Sequence, residues 1–314
     1  MSHRPPRLLS VLDLEPSEML EVVELGLHFK RLYYEGRRTV GVLEGKSIAL
    51  LFERPSTRTR VSFELAVRQL GGHPIVLYSS ELQLARGETV ADTARTLSRY
   101  VDGIVARVSK HQHLVELADN ASVPVINALS DREHPVQALG DLMTVREKLG
   151  RLTGVSLALV GDGRSNVFVS LLLAGAALGL DLRLASPRPL WPSEDVISRA
   201  EELARSSGAS VRLFEDPKEA VTGADVVYTD VWVSMGCEPE REWRVKLLEP
   251  YRVDAKLMRS ASPAAIFMHC LPAKRGEEVT DEVLDGPSSV VWDQAENRLH
   301  IQKGLLYYLY RRVI

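Results

Sequence analysis

Ser47-Ile48-Ala49-Leu50-Leu51-Phe52 is a short apolar run. It passes through Glu53-Arg54-Pro55 into Ser56-Thr57-Arg58-Thr59-Arg60 and on into Val61-Ser62-Phe63-Glu64-Leu65-Ala66-Val67. The first run reads as a β-strand and the last as a helix. The junction between them packs three hydroxyls and two guanidiniums into five residues. The first turn of a helix leaves backbone N–H groups without partners and carries the positive end of the helix dipole, so an anion is its natural ligand. Arginine adds a planar, permanently charged fork that suits phosphate oxygens. The segment therefore reads as a phosphate pocket. The plainer alternative is a Ser/Thr N-cap followed by two solvated arginines.

Outward from this unit the same alternation recurs. Strands are predicted at 47–52, 74–78, 103–107 and 123–127, with helices at 57–70, 89–100, 111–119 and 135–149. The pattern restarts with strands at 155–160, 181–185, 210–214, 225–229, 265–268 and 289–292. This alternation predicts an α/β protein of two domains, each a parallel β-sheet flanked by helices. Gly150-Arg151-Leu152-Thr153-Gly154 is the predicted hinge, giving domains of 1–149 and 150–293. The last run, Gln294 to Tyr310, reads as a long helix within a segment, 294–314, expected to pack back on the first domain.

The 314 residues suffice for two sizeable cores. A net charge of -3 gives no general nucleic-acid footprint, so no nucleic-acid partner is expected. No apolar run approaches the ~20 residues of a membrane span, and Met1-Ser2-His3-Arg4-Pro5-Pro6 lacks the apolar centre of a signal peptide. The two cysteines, Cys237 and Cys270, are too few for a disulfide framework. A cytoplasmic protein without a membrane partner is the expectation.

Ligands of open parallel sheets sit beyond the carboxyl ends of the strands, and the chemically suggestive residues fall there. Ser56–Thr59 follow the first strand, Arg107 ends another, and His134 follows the strand at 123–127. His134 precedes Pro135, which can open a helix; a helix terminus favours a neutral imidazole able to donate a hydrogen bond, although His134 could be a mere cap. Gln137 lies one turn further on. Asp162 and Asn166 follow 155–160 in Gly161-Asp162-Gly163-Arg164-Ser165-Asn166, a broken dinucleotide fingerprint with asparagine at the third glycine position. That fragment makes an NAD-dependent dehydrogenase the distant alternative. Asp230 opens Asp230-Val231-Trp232-Val233-Ser234-Met235-Gly236, where Asp230 and Ser234 could bind an ammonium, or where an Asx turn could suffice. Cys270, in His269-Cys270-Leu271-Pro272, could be a nucleophile or a polar contact coupled to a carboxylate. No C-x-x-C spacing is present, so no metal is expected. Gln83 lies in a polar loop before a helix that Thr89 and Asp92 would cap.

Together Phe52–Arg60, His134-Pro135-Val136-Gln137, Asp230–Gly236, His269–Pro272 and Asp293–His300 resemble, in order and spacing, the ornithine carbamoyltransferase family. The match runs from about residue 8 to 310. The resemblance implies carbamoyl transfer from carbamoyl phosphate to the δ-amine of L-ornithine, giving L-citrulline and phosphate, with no cofactor. It implies that Ser56, Thr57, Arg58, Thr59, Arg107, His134 and Gln137 bind carbamoyl phosphate, and that Gln83 reaches the site from an adjacent subunit of a homotrimer or a higher assembly of trimers. Asn166, Asp230, Ser234 and Met235 would bind ornithine. Cys270, Leu271 and Arg298 would lie where the substrates meet, and Arg107, His134, Asp230 and Cys270 would be catalytic. The chain departs from the family pattern at Val136, where cysteine is frequent, and at Ser165, usually asparagine. It departs also at the bulky Phe168 and Val169 and at Lys274, where histidine is frequent. Aspartate or putrescine carbamoyltransferase is the nearer alternative, since a few contacts decide the acceptor.

Overall fold

The computed structural model describes residues 6–234 and 236–311. The chain forms two compact units, residues 1–143 with 297–314 and residues 144–296. Each is built on one five-stranded parallel sheet.

In the first unit the strands are β1 (Arg7–Leu8), β2 (Ser47–Phe52), β3 (His73–Tyr78), β4 (Gly103–Arg107) and β5 (Val125–Leu129), in the order β1-β5-β4-β2-β3. Strands covered on both faces read as continuous apolar runs, and β2 and β4 are central strands of that kind. Ile48, Ala49, Leu50, Leu51 and Phe52 are all buried, and Ala49 stands beside Ile104 in register. The helices are α1 (Pro16–Tyr34), α2 (Thr57–Gln69), α3 (Val90–Leu97), α4 (His111–Asn120) and α5 (Pro135–Leu149). Thr89 caps α3 by accepting from Asp92 N–H (3.1 Å).

The second sheet holds β6 (Ser156–Val160), β7 (Asp181–Ala185), β8 (Ser210–Phe214), β9 (Val226–Thr229) and β10 (Ile266–His269), ordered β10-β9-β6-β7-β8. Its principal helices are α6 (Asn166–Ala177) and α7 (Glu194–Ser207), followed by α8 (Pro217–Val221), α9 (Arg241–Leu248), α10 (Ala255–Met258) and α11 (Asp281–Leu284). Ala158, Val160, Val227, Trp232, Phe267 and Val291 belong to its buried core. The chain passes between units inside α5 and again inside α12 (Val291–Tyr310). Among the described residues no helix is long and apolar enough to cross a membrane.

Three elements differ from the sequence expectation, the first being the two-residue β1, which no predicted strand covers. Residues 289–292 are not a strand: Ser289 makes only an isolated bridge to Phe267, and α12 begins at Val291. The β-branched pair Val290-Val291 is buried at the foot of a helix, where packing overrides strand propensity. The 19-residue α1 was not expected. Its signature is Pro16 at the first helical position, a reciprocal Glu15/Glu18 capping box, and apolar Met19, Val22, Val23 and Phe29 on one face. The last segment of α12 packs on α1 inside the first unit. A Cβ on Gly304 would stand 2.8 Å from Gly26 N and 2.9 Å from Val22 O, so the crossing requires glycine. Tyr308 donates to Glu18 (2.5 Å) and Tyr310 to the Asp102 carbonyl (2.8 Å) in the same unit.

Candidate active site

Each sheet presents a cluster of polar side chains at the carboxyl ends of its strands.

In the first unit, Ser56 is the N-cap residue of α2, yet its side chain makes no cap bond, and no acidic residue stands in the first turn. The amides at this helix start are thus left to an anion. Thr57 and Arg58 are exposed, Ser56 is half-buried and Thr59 is buried. The Thr59 hydroxyl accepts from Arg298 (3.1 Å) and stands 3.5 Å from Arg107 Nη1. Arg298 also donates to Gln137 Oε1, and Gln137 in turn donates to Asp141 (2.7 Å). His134 sits before α5 with its carbonyl accepting from Gln137 and Ala138 N–H. Burial, with Arg298 and then Arg107 beside it, holds its imidazole well below the usual histidine range. A neutral donor and two guanidiniums thus accompany a helix N-terminus, a combination suited to a phosphate ester and a carbonyl oxygen. Gln83 is exposed on the 3-10 turn Gln83–Arg86, and no hydrogen bond among the described residues joins it to this cluster. Arg60 faces away, donating to Tyr78 Oη (2.6 Å).

In the second unit the cluster centres on Asp230, which is 7 % exposed. Cys270 Sγ donates to Oδ1 (3.0 Å), Val231 N–H donates to the same oxygen (2.8 Å), and Ser165 Oγ donates to Oδ2 (2.7 Å). The thiol is thus a donor to a carboxylate. Asn166 begins α6 beside Ser165. Ser234 is half-buried, its carbonyl accepting from Cys237 N–H (3.0 Å); Met235 lies outside the described residues. Leu271 adopts the left-handed φ of 58°. Its N–H donates to His269 Nδ1 (2.9 Å), which leaves the proton on Nε2, facing Glu278 (3.1 Å). Glu278 also accepts from Lys274 N–H (2.5 Å), so a fully buried pair pins the Cys270–Lys274 loop at both ends. Ligand atoms of Asp230, His269 and Cys270 lie within 4.8 Å of one another. Both ring nitrogens of His269 are already hydrogen-bonded, however, so this is a donor network rather than a ready metal centre.

Asp162 shapes the turn before α6. Its Oδ1 accepts from Arg164 N–H (3.0 Å) and its Oδ2 from the buried Arg244 (2.5 Å). Burial raises its carboxyl, with Arg244 opposing. Phe168 is buried edge-on against Tyr228. Sequence reading overlooked Asp141, Ser165 as a partner of Asp230, and the His269–Glu278 pair. Only Asp141 carried a signal, its i, i+4 spacing from Gln137 on one helix.

Two family models match along the chain. Residues 7–147 match the aspartate/ornithine carbamoyltransferase carbamoyl-P binding domain and residues 153–309 the Asp/Orn binding domain of the same family. The chain belongs to the aspartate/ornithine carbamoyltransferase family. Among curated relatives, the ornithine carbamoyltransferase of Hyperthermus butylicus is 58% identical, with 95% of each chain covered. The anabolic ornithine carbamoyltransferase of Pyrococcus furiosus is 53% identical over 95% of this chain and 94% of its own. Solved carbamoyltransferase structures agree. That from Pyrococcus furiosus has a TM-score of 0.92 at 52% identity, covering 98% of this chain and 97% of its own. The anabolic enzyme of Campylobacter jejuni has a TM-score of 0.91 at 40% identity, covering 98% and 99%. Within this family the 153–309 domain model extends into α12, although residues 297–311 pack with the first unit.

Proposed function

We propose that the protein is an ornithine carbamoyltransferase, taking carbamoyl phosphate on the first unit and L-ornithine on the second. The observation that carries the acceptor assignment is the Asp230 carboxylate, fixed by Ser165, Val231 N–H and the Cys270 thiol. A carboxylate so held is suited to the side-chain amine of an aliphatic acceptor and repels the second carboxylate of an acceptor such as aspartate.

In this reading the carbamoyl phosphate domain is 1–149 joined by the C-terminal helix, and the ornithine domain is 150–293. The phosphate is held by the N-terminus of α2 and by Ser56, Thr57, Arg58 and Thr59, with Gln83 contributed by a neighbouring subunit of a cytoplasmic homotrimer. Support for the last point is that Gln83 is exposed and unattached to its own chain's cluster, and support for the compartment is that neither cysteine is in a disulfide. Arg107, His134 and Thr59 serve the carbamoyl oxygen and Gln137 its NH2 group, with Arg298 holding Thr59 and Gln137 in place. Asn166, Ser234 and Met235 hold the ornithine head group.

The δ-amine must be neutral to attack, whereas a free alkyl ammonium has a pKa of roughly 10. Asp230 orients it and takes up its proton, while the Cys270 thiol, donating to the same carboxylate, holds that base in place. Its nitrogen lone pair adds to the carbamoyl carbon while negative charge builds on the carbonyl oxygen, where a neutral His134 and Arg107 donate. Collapse breaks the carbon–oxygen bond to phosphate, and the departing phosphate takes the second proton from the new amide nitrogen. The test is phosphate release from carbamoyl phosphate, followed with and without ornithine. Release that depends on ornithine and matches citrulline mole for mole supports the assignment; ornithine-independent release removes it.

A further inference from the structure

Ser165 occupies the N-cap position of α6, where a serine ordinarily accepts from the amide two or three residues on. Here it makes no such bond. The side chain is 1 % exposed, and its hydroxyl donates to Asp230 Oδ2 at 2.7 Å. The turn that delivers it is rigid. Asp162 accepts from Arg164 N–H and from buried Arg244, Gly163 N–H donates to Ser186 Oγ (3.2 Å), and Ser165 N–H donates to the Asp162 carbonyl (3.0 Å).

An ionised carboxylate offers about four lone-pair sites, two on each oxygen. Cys270 Sγ and Val231 N–H occupy both sites of Oδ1, and the Ser165 hydroxyl occupies one site of Oδ2. Among the described residues one acceptor site is left, on Oδ2, beside Ser165. We propose that Ser165 is a positioning residue that fixes which oxygen of Asp230, and in which direction, receives the δ-amine of the acceptor. This rests on the assignment of Asp230 to that amine and deepens it. The hydroxyl fills one of the two Oδ2 sites and prevents the carboxylate from turning about its Cβ–Cγ bond. It thereby converts a group that could meet an amine from several directions into one with a single open direction. His269 lies near this carboxylate, and Asp162, paired with Arg244, shapes the turn that carries Ser165.

The experiment compares wild type with Ser165→Ala and Ser165→Thr, measuring KM and kcat separately for each substrate at saturating levels of the other. Threonine keeps the hydroxyl and alanine deletes it. The alanine variant also loses a buried hydrogen bond, so its KM for carbamoyl phosphate serves as the control for an intact fold. The expected result is an ornithine KM about tenfold higher in Ser165→Ala. Its carbamoyl phosphate KM stays within twofold of wild type, and Ser165→Thr recovers most of the ornithine affinity. Any other pattern overturns the proposal: an unchanged ornithine KM in the alanine variant, both KM values moving together, or threonine behaving as alanine does. Wild-type citrulline formation is measured in the same series. Its absence strikes at the function itself, whereas its presence beside an unaffected alanine variant strikes only at Ser165.

Discussion

Thr59 accepts from one guanidinium and stands 3.5 Å from another, so its hydroxyl helps to hold Arg298 and Arg107 in place around one spot. Such donors act on charge that develops during reaction, and losing one commonly costs about 10²–10³ in rate. Arg107→Gln is expected to lower kcat by about that factor, measured by citrulline production at saturating substrates. Cys270→Ser swaps the donor that meets Asp230 Oδ1 and is expected to lower kcat/KM for ornithine about tenfold; unchanged constants would remove the thiol from the mechanism. His134 carries a pH signature. Its proton affinity is lower folded than unfolded because burial and two arginines disfavour the cation. Below about pH 6.5 the unfolded chain takes up a proton that the folded one refuses, so stability falls as pH drops through that range. His134→Gln should show a shallower loss of Tm between pH 6.5 and 5 than wild type. At this scale the hydroxyl–arginine segment, His134 and Asp230 were legible because each follows a strand end in a recognisable motif. The partners of Asp230 were not. Ser165 reads as an ordinary N-cap, and nothing local in sequence says that its hydroxyl turns to a carboxylate 65 residues away.

Among the elements, α12 shows best how far local pattern reaches. Its helical period was legible from Gln294 onward, but its first two residues, Val291 and Trp292, are β-branched and aromatic and read as the end of a strand at 289–292. The α1 helix escaped because its face mixes Gly26 and Lys30 with the apolar residues, both buried for reasons that lie on α12. Gly304→Ala should lower stability by about 1–3 kcal/mol, since the added methyl meets α1 backbone rather than a side chain able to move. Lys303 is buried on the same helix, donating to Gln69 (3.0 Å) with its ammonium over Phe29 and Tyr33. Burial lowers it to about 8. Between pH 8 and about 10.5 the unfolded chain binds the proton that the folded chain has released, so this lysine adds stability as pH rises through that window. Lys303→Met should abolish that increment in denaturation curves taken at pH 7.5 and pH 10.

Over the whole molecule, the alternating pattern made two parallel sheets legible before any coordinate, because strands sheathed in helices need unbroken apolar runs. Strand order was not legible: β1 pairs with β5 and β4 with β2 through contacts far apart in sequence. The proposed assembly has a direct test. If Gln83 serves a neighbouring subunit, Gln83→Ala and Cys270→Ala proteins, each weakly active, will regain activity when unfolded and refolded together, and the species will have three times the 34.9 kDa chain mass. Recovery requires subunits that contain one intact pair of half-sites, so a monomeric enzyme shows none. The central claim is the acceptor, which rests on Asp230 and its three donors. It is tested most directly by one assay of carbamoyl phosphate with ornithine, aspartate and putrescine in parallel, each carbamoylated product being quantified. Citrulline formed at a rate at least about a hundredfold above either other product is the predicted result. Carbamoyl-aspartate or carbamoyl-putrescine as the main product, or no citrulline at all, would contradict it.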